Sequence, residues 1–352
     1  METRHLLPAD AYWSEEWFDR EQRLLFSHTW HLVAAEDELA EPGSYVSYTA
    51  GLDPIVVVRD LDGELRAFHN LCRHRGMPLV EGCGSSRSGL VCPYHFWSFG
   101  LDGALRNVPQ PEQFPDLDEA AWGLLPASVG TWGGLVFVHP DPDAESLLDW
   151  LGEMPGAIGS YQPELLVEVA RYEFDARCNW KLFVENHVDV YHLWYLHART
   201  LGDYDHDRFE WQQLGRNWVS YEPVKEGITR RRPEAVLQPI EHISGRDLTG
   251  VGAHAAFPNV LMASEAGYFI TYAVRPTGPA HCVVDLRIRA EPGADAEGLL
   301  AGAKAFIVED IDACEGIQST IRSNRFAVGP MAVDHERPIT LFHQHLLEVL
   351  DP

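Results

Sequence analysis

The sequence predicts an α+β fold with an all-β unit inserted near its start, on three observations. Between Gly43 and about His139 the chain reads as short strands bounded by turn residues. Beyond residue 140, longer strands mix with helical segments in no strict alternation, which points to an antiparallel sheet grouped with helices. The 352 residues are enough for two domains, or for one with a large insertion. The expected division is a helical segment at 1–42 that belongs with the C-terminal body, a β unit at 43–139, and the larger body at 140–352.

Residues 10–30 read as helical, with Tyr12, Trp13, Trp17, Leu24 and Leu25 as apolar positions. In the β unit the strand candidates are SYVSY, PIVVV, LRAFHNL, LVCPYHFWSF and GGLVFVH. Asp62-Gly63 and Asp102-Gly103 separate some of them, and an Asp-Gly pair is a strong hairpin signal. Asp141–Asp143, between Pro140 and the following segment, reads as a linker. In the larger body LLVEVARYEF, NWVSYEPV, YFITYAV and CVVDLRIRA are expected in one antiparallel sheet, with helices near 179–195 and 296–323. The stretch 225–250, with Arg230, Arg231 and Arg232, reads as a long loop of the kind that often lines a site.

A formal charge of −26 argues against nucleic acid and anionic membranes as partners, because the long-range field repels both. No apolar run approaches the roughly 20 residues that cross a bilayer. The N-terminus also lacks the charged and apolar regions of a signal peptide, so a cytoplasmic protein is expected. Six cysteines are too sparse for a disulfide framework, and a close Cys/His grouping then suggests a metal site. Cys178, Cys282 and Cys314 read as buried thiols.

That grouping is Cys72-Arg73-His74 and Cys92-Pro93-Tyr94-His95, each pair in a loop at the end of a strand. A Rieske [2Fe–2S] centre needs two thiolates on one iron and two imidazoles on the other. Two loops that each bring one Cys and one His supply that division. A Cys₂His₂ zinc site has similar ligand chemistry, but usually pairs Cys with Cys and His with His along the chain. Cys83 lies between the pairs without a matching His and reads as a bystander; His69 reads as a packed histidine.

CRHRGMPLVEG and CPYHFWSFGLDGALRNVP resemble the Rieske domain of the ring-hydroxylating, Rieske non-haem iron oxygenases, in their large (α) subunit. That signature is shared with electron-transfer Rieske proteins and covers only the β unit. The resemblance implies a helix-grip, START-like second domain and a cluster held by Cys72, His74, Cys92 and His95.

A second motif decides between carrier and enzyme. In NWKLFVENHVDVYHLWYLH, Asp189, His192 and His197 form D-x₂-H-x₄-H. Non-haem Fe(II) oxygenases place two His and one carboxylate on one face of the metal. On a regular helix Asp189 and His192 share a face. His192 and His197 stand about 140° apart, so both reach one iron only if the helix ends or distorts near Trp194. The segment is similar to the catalytic motif of the same family, which implies His192 and His197 as ligands of mononuclear Fe(II). It also implies Asp189 as a hydrogen-bonded bridge from His192 to His95 of a neighbouring subunit. Asn186 belongs to the same motif and is grouped with Asp189 as catalytic. The short spacing from Asn186 to Asp189 leans towards demethylases and monooxygenases and away from naphthalene-type dioxygenases. His187 has no counterpart as a ligand.

The third ligand is sought in AFIVEDIDACEGIQSTI. Ile307, Ile311, Cys314, Gln318 and Ile321 recur at helical spacing and define an inward stripe. Asp310 falls within it, whereas Glu309 and Asp312 stand about 100° off, towards the flanks. A carboxylate on a buried stripe is costly unless paired or bound to metal. The family motif selects the same residue, Asp310.

These features imply a terminal oxygenase that uses O₂ to hydroxylate or demethylate a small aromatic or amine substrate. No G-x-G-x-x-G segment is present, so electrons are expected from a separate ferredoxin or flavin reductase. The resemblance implies a homotrimer, with Arg73, Arg75 and Arg106 as candidates to dock the donor. Trp194, Tyr195, Tyr204, Phe209, Trp211 and Trp218 are candidates for a pocket that suits flat rings or quaternary ammonium groups. A carrier protein, or a binding protein with a degenerate second domain, are the competing readings.

Overall fold

In the computed structural model, residues 3–228 and 239–351 are described. Arg230, Arg231 and Arg232, in the expected long loop, lie outside the described residues. By packing, the chain divides into Glu21–Trp150 and a second unit of Met1–Arg20 with Leu151–Pro352. Its helices are α1 (Glu15–Leu24), α2 (Leu147–Leu151), α3 (Met154–Ile158), α4 (Trp180–Val188), α5 (Ala296–Thr320) and α6 (Arg337–Leu350).

The β-rich unit contains β1 (His31–Ala35), β2 (Ser44–Ala50), β3 (Asp53–Arg59), β4 (Leu65–His69) and β5 (Cys83–Ser85). It continues with β6 (Leu90–Val91), β7 (Ser98–Phe99), β8 (Leu105–Asn107), β9 (Pro126–Trp132) and β10 (Leu135–His139). One sheet runs β1-β10-β9-β4-β3-β2-β5 and a small one runs β6-β7-β8. The Val-rich β3 and the Leu-Val-Phe-Val run of β10 are buried almost throughout, so their hydrophobic runs need no alternation. Asp62-Gly63 and Asp102-Gly103 turn β3 into β4 and β7 into β8, with both glycines at positive φ. At Gly103 any Cβ would stand 2.4 Å from the Phe68 ring, so the turn also needs a residue without a side chain.

The domain boundaries differ from those read in the sequence. Residues 21–42 join the β-rich unit because β1 pairs antiparallel with β10 and forms its edge. The two helical turns before β1 hide that pairing in the sequence, where 10–30 reads as one helix. LVCPYHFWSF is likewise not one strand: it is β6, a loop and β7.

The second unit is built on β11 (Val167–Ala176), β12 (Glu210–Leu214), β13 (Asn217–Pro223), β14 (Gly250–Ala256), β15 (Val260–Glu265), β16 (Tyr268–Gly278) and β17 (His281–Ala290). These form one antiparallel sheet in the order β11-β17-β16-β15-β14-β13-β12. Helix α5 packs on β11, and α4 lies against α5, α6, β14 and β16. The buried stripe of α5 is Leu299, Ala303, Ile307, Asp310, Ile311, Cys314 and Gln318, which extends the expected spacing towards the N-terminus. No helix among the described residues is long and apolar enough to cross a membrane.

Candidate metal centres

The two Cys–His loops of the β-rich unit share one backbone plan. Cys72 N–H donates to Met77 O at 2.8 Å and Gly76 N–H donates to Cys72 O at 2.8 Å. Likewise Cys92 N–H donates to Trp97 O at 2.8 Å and Phe96 N–H to Cys92 O at 3.0 Å. In both loops the fourth residue after the cysteine is left-handed: Gly76 at φ 74° and Phe96 at φ 60°. Each loop thus curls over its own cysteine. Beneath them lies a core that includes Val56, Phe68, Leu79, Trp97, Phe99 and Leu105, each worth about 1.5–3 kcal/mol of burial.

The cysteines are buried and the histidines are not. Cys72 and Cys92 are 2% and 1% exposed. Burial raises the Cys72 thiol pKa, and the adjoining Cys92 sulfur raises it further. His74 and His95 lie edge to face with ring centroids 4.6 Å apart, and Trp97 stacks on His74 at 5.1 Å. His74 Nδ1 is buried without a hydrogen-bond partner among the described residues, and burial lowers the His74 pKa. Two adjacent thiols, two adjacent imidazoles and an unfilled ring nitrogen fit a Rieske cluster in kind and in pairing. Cys83 is exposed on β5, and His69 Nε2 meets Pro140 O, so neither joins the group. Arg73 donates to Gly123 O, Arg75 lies over Tyr94, and Arg106 pairs with Asp102.

In the second unit α4 starts on Asn179, whose side chain accepts from Lys181 N–H. It ends at Val188, short of the end of the segment near 179–195 expected to be helical. Asp189 leaves the helix with φ −79° and ψ 126°, and its Oδ1 accepts from Tyr191 N–H at 2.6 Å. An Asp that captures an amide two residues on stops a helix. The 140° separation of His192 and His197 therefore does not arise. They sit on successive turns, and their ring centroids are 5.0 Å apart.

His192, His197 and Asp310 bring one ligand atom each to within 4.8 Å of one another. Asp310 Oδ1 lies 2.8 Å from His197 Nε2 and 3.6 Å from His192 Nε2. On the far side of each ring a second carboxylate accepts from Nδ1. Asp189 Oδ2 is 3.1 Å from His192 Nδ1, and Glu309 Oε2 is 2.8 Å from His197 Nδ1. Thr200 Oγ donates to the same Glu309 oxygen at 2.7 Å. Both Nε2 atoms are thereby aimed at Asp310. Burial acts to lower the His197 pKa, but its bonds to Asp310 and then Glu309 outweigh it and raise the value. Two imidazoles and one carboxylate, with ring orientation set by outer carboxylates, fit a mononuclear iron with open positions.

Glu309 is not marked by the sequence, because a position 100° off the buried stripe looks solvated. The turn His197–Thr200 covers that flank. Asn186 lines the cavity beside the triad, and its backbone carbonyl accepts from Asp189 N–H at 3.2 Å. His187 also lines it; its ring is held by His254 O at 3.0 Å, and burial lowers its pKa to about 4.

The cavity, about 100 Å³, opens on the triad and is walled by Tyr204, Phe209, Trp218, Tyr268, Tyr272 and Phe306. Of the aromatic residues expected there, Tyr204, Phe209 and Trp218 reach it. Trp194 packs against His206 and His335, Tyr195 is exposed, and Trp211 lines a separate hollow. Tyr268 and Tyr272 come from β16, and no local sequence signal marks them.

A cluster-type β unit in one chain with a two-His, one-carboxylate site defines a Rieske non-haem iron oxygenase. Comparison with known proteins agrees. Residues 163–351 match the ring hydroxylating alpha subunit (catalytic domain) family and residues 29–122 match the Rieske [2Fe-2S] domain. The chain belongs to the ring-hydroxylating alpha subunit family of Rieske oxygenases. Its cofactors are accordingly a Rieske [2Fe–2S] cluster and a mononuclear non-haem iron.

Among its relatives is the chloroplastic choline monooxygenase of Spinacia oleracea, 29% identical over 99% of this chain and 79% of that protein. The carnitine monooxygenase oxygenase subunit of Escherichia coli is 34% identical over 60% of this chain and 57% of that protein. A solved quaternary ammonium Rieske monooxygenase superposes with a TM-score of 0.84, 21% identity, and coverage of 99% and 96% of the two chains. Naphthalene 1,2-dioxygenase from Rhodococcus sp. superposes at 0.79 with 21% identity, covering 98% and 95%. These two likenesses describe the fold.

Proposed function

We propose that this chain is the terminal oxygenase for a small quaternary ammonium compound, with His192, His197 and Asp310 as the iron ligands and Cys72, His74, Cys92 and His95 as the cluster ligands. The observation that carries the substrate class is the cavity beside His192, His197 and Asp310. Its wall is aromatic, it presents Asp189, Glu222 and Asp310, and it has no Lys or Arg among the described lining residues. A ring face attracts a cation, and surrounding carboxylates strengthen that preference. The choline and carnitine monooxygenases among its relatives handle cations of this kind.

When bound, the iron would supply O₂ activation and the cluster would supply single electrons. The protein's own side chains do the rest. Asp189 and Glu309 keep both Nδ1 protons in place, so each imidazole offers only Nε2 to the centre. The aromatic wall excludes water and orients the cationic head. Asp189 is largely buried but keeps a side-chain edge, 16% exposed, at the surface, which suits a bridge to His95 of a neighbouring subunit in a trimer. At the cluster, Tyr94 and Phe96 are exposed beside His95 and offer an apolar landing for a separate ferredoxin or reductase. The four cysteines outside the proposed cluster ligands, Cys83, Cys178, Cys282 and Cys314, form no disulfide, which accords with a reducing, cytoplasmic setting.

The test is substrate-dependent O₂ uptake with a surrogate reductase, run in parallel on choline, carnitine and naphthalene. Coupled uptake with a quaternary ammonium compound alone is expected. Coupled uptake with naphthalene alone would replace this reading with aromatic-ring hydroxylation.

A further inference from the structure

Strand β13 alternates, and Trp218, Ser220 and Glu222 all face the aromatic cavity. Glu222 is 5% exposed. Its Oε2 accepts from His206 Nδ1 at 2.9 Å, across a buried pair whose histidine is 3% exposed. Its Oε1 is buried and has no hydrogen-bond partner among the described residues. A buried carboxylate with one oxygen unfilled is costly, and such a group is kept where something else completes it.

The other carboxylates at this cavity are engaged. Asp310 faces the two Nε2 atoms, and Asp189 holds His192 Nδ1 and the Tyr191 amide. Of these three carboxylates, Glu222 is the one with a fully buried oxygen that has no partner among the described residues. The cavity that Glu222 lines is also walled by Tyr204, Phe209, Trp218 and Tyr268, whose ring faces favour positive charge. His206 keeps the carboxylate from swinging away. A ligand cation can supply the missing partner by Coulomb attraction, even when it has no N–H to donate.

We infer that Glu222, braced by His206, is the counter-charge that makes this cavity select a cationic head over an uncharged one of the same shape. This rests on the quaternary ammonium reading and adds the residue that enforces it. The rings alone attract a cation moderately, whereas a fixed anion in a desolvated wall discriminates more sharply.

The experiment compares two ligands by isothermal titration of the intact chain. One is choline; the other is its uncharged carbon isostere, with a quaternary carbon in place of the nitrogen. The wild type is expected to prefer choline by about tenfold or more, Glu222→Gln to bring the ratio close to one, and Glu222→Asp to fall between. If the wild type binds the two alike, the quaternary ammonium reading fails and this inference falls with it. If the wild type prefers choline and Glu222→Gln keeps the preference in full, the reading stands and the role of Glu222 is overturned. Should Glu222→Gln lose the native near-ultraviolet circular dichroism, Glu222→Asp carries the test, and an unchanged ratio there overturns the inference.

Discussion

Glu309 and His197 meet at 2.8 Å, Oε2 to Nδ1, while the next residue along the helix, Asp310, meets the opposite nitrogen of the same ring at 2.8 Å. Two consecutive acids on α5 thus clasp one imidazole from both sides. Asp189 does for His192 what Glu309 does for His197. The site is built twice over, once from the irregular turn after α4 and once from α5.

Glu309→Ala should therefore weaken the mononuclear iron without touching the cluster. Loss of a carboxylate that orients a metal-ligating His typically costs about 10–100-fold in metal affinity. Competition with a chelator, read by iron content, should show that loss, while the Rieske visible spectrum stays intact. Glu309→Gln keeps an acceptor for His197 Nδ1–H and should lose less. Iron retention equal to wild type in Glu309→Ala would remove it from the site.

Asp310→Ala and Asp189→Asn should fail in different ways. The first removes a proposed iron ligand, so the chain should lose one iron while keeping the two irons and two sulfides of the cluster. The second still accepts from His192 and Tyr191, so both metals should load. With the proposed bridge uncharged, turnover should nonetheless fall at least about tenfold. Full turnover in loaded Asp189→Asn would exclude the bridging role.

This site is unevenly legible in the sequence, for physical reasons. Asp310 was legible because a charge on an otherwise apolar stripe contradicts its neighbours, and only a partner or metal reconciles them. The end of α4 at Val188 was not, since residues 189–195 contain no Gly or Pro to mark a break and the stop lies in one bond from the Tyr191 amide to the Asp189 side chain. β14, GVGAHAA, has poor strand propensity and is a strand because β13 and β15 pair with it on both sides. β1 was hidden by the same cause, its pairing with β10 across about a hundred residues. Glu222 sits in a segment that reads as a strand, but its unfilled oxygen exists only once the cavity has closed around it.

Acid should destabilise both units through buried histidines. Burial, offset in part by a bond to Phe26 O, lowers the His31 pKa to about 4; burial, then the neighbouring His187, lowers His254 to about 3. Both are depressed below the ordinary 6.5, so the unfolded chain binds more protons between that value and the folded one. Their contribution to stability is fully present above about pH 6.5 and is lost as pH falls towards the folded values. By pH 5 the loss is about 2 kcal/mol for each. Urea unfolding at pH 8 and pH 5 measures it. His254→Gln should reduce the pH dependence, and an unchanged slope would contradict the assignment.

Phe96 and Gly76 occupy equivalent places in the two cluster loops, at φ 60° and φ 74°. A side chain in the left-handed region costs about 1–2 kcal/mol, and glycine avoids that cost. Phe96 returns little by packing, since it is 64% exposed. Nothing lies within 4 Å of where a Cβ on Gly76 would stand, so Gly76→Ala should suffer the backbone cost alone. Gly76→Ala should thus destabilise the β-rich unit by about 1 kcal/mol, and Phe96→Gly should stabilise it by a similar amount. Thermal loss of the cluster absorbance gives both shifts. If the aromatic ring is kept for docking beside His95, Phe96→Gly should at the same time slow reduction of the cluster by a protein donor while leaving reduction by dithionite unchanged. A variant that is both more stable and equally fast with the protein donor would show that the strain at Phe96 serves no docking purpose.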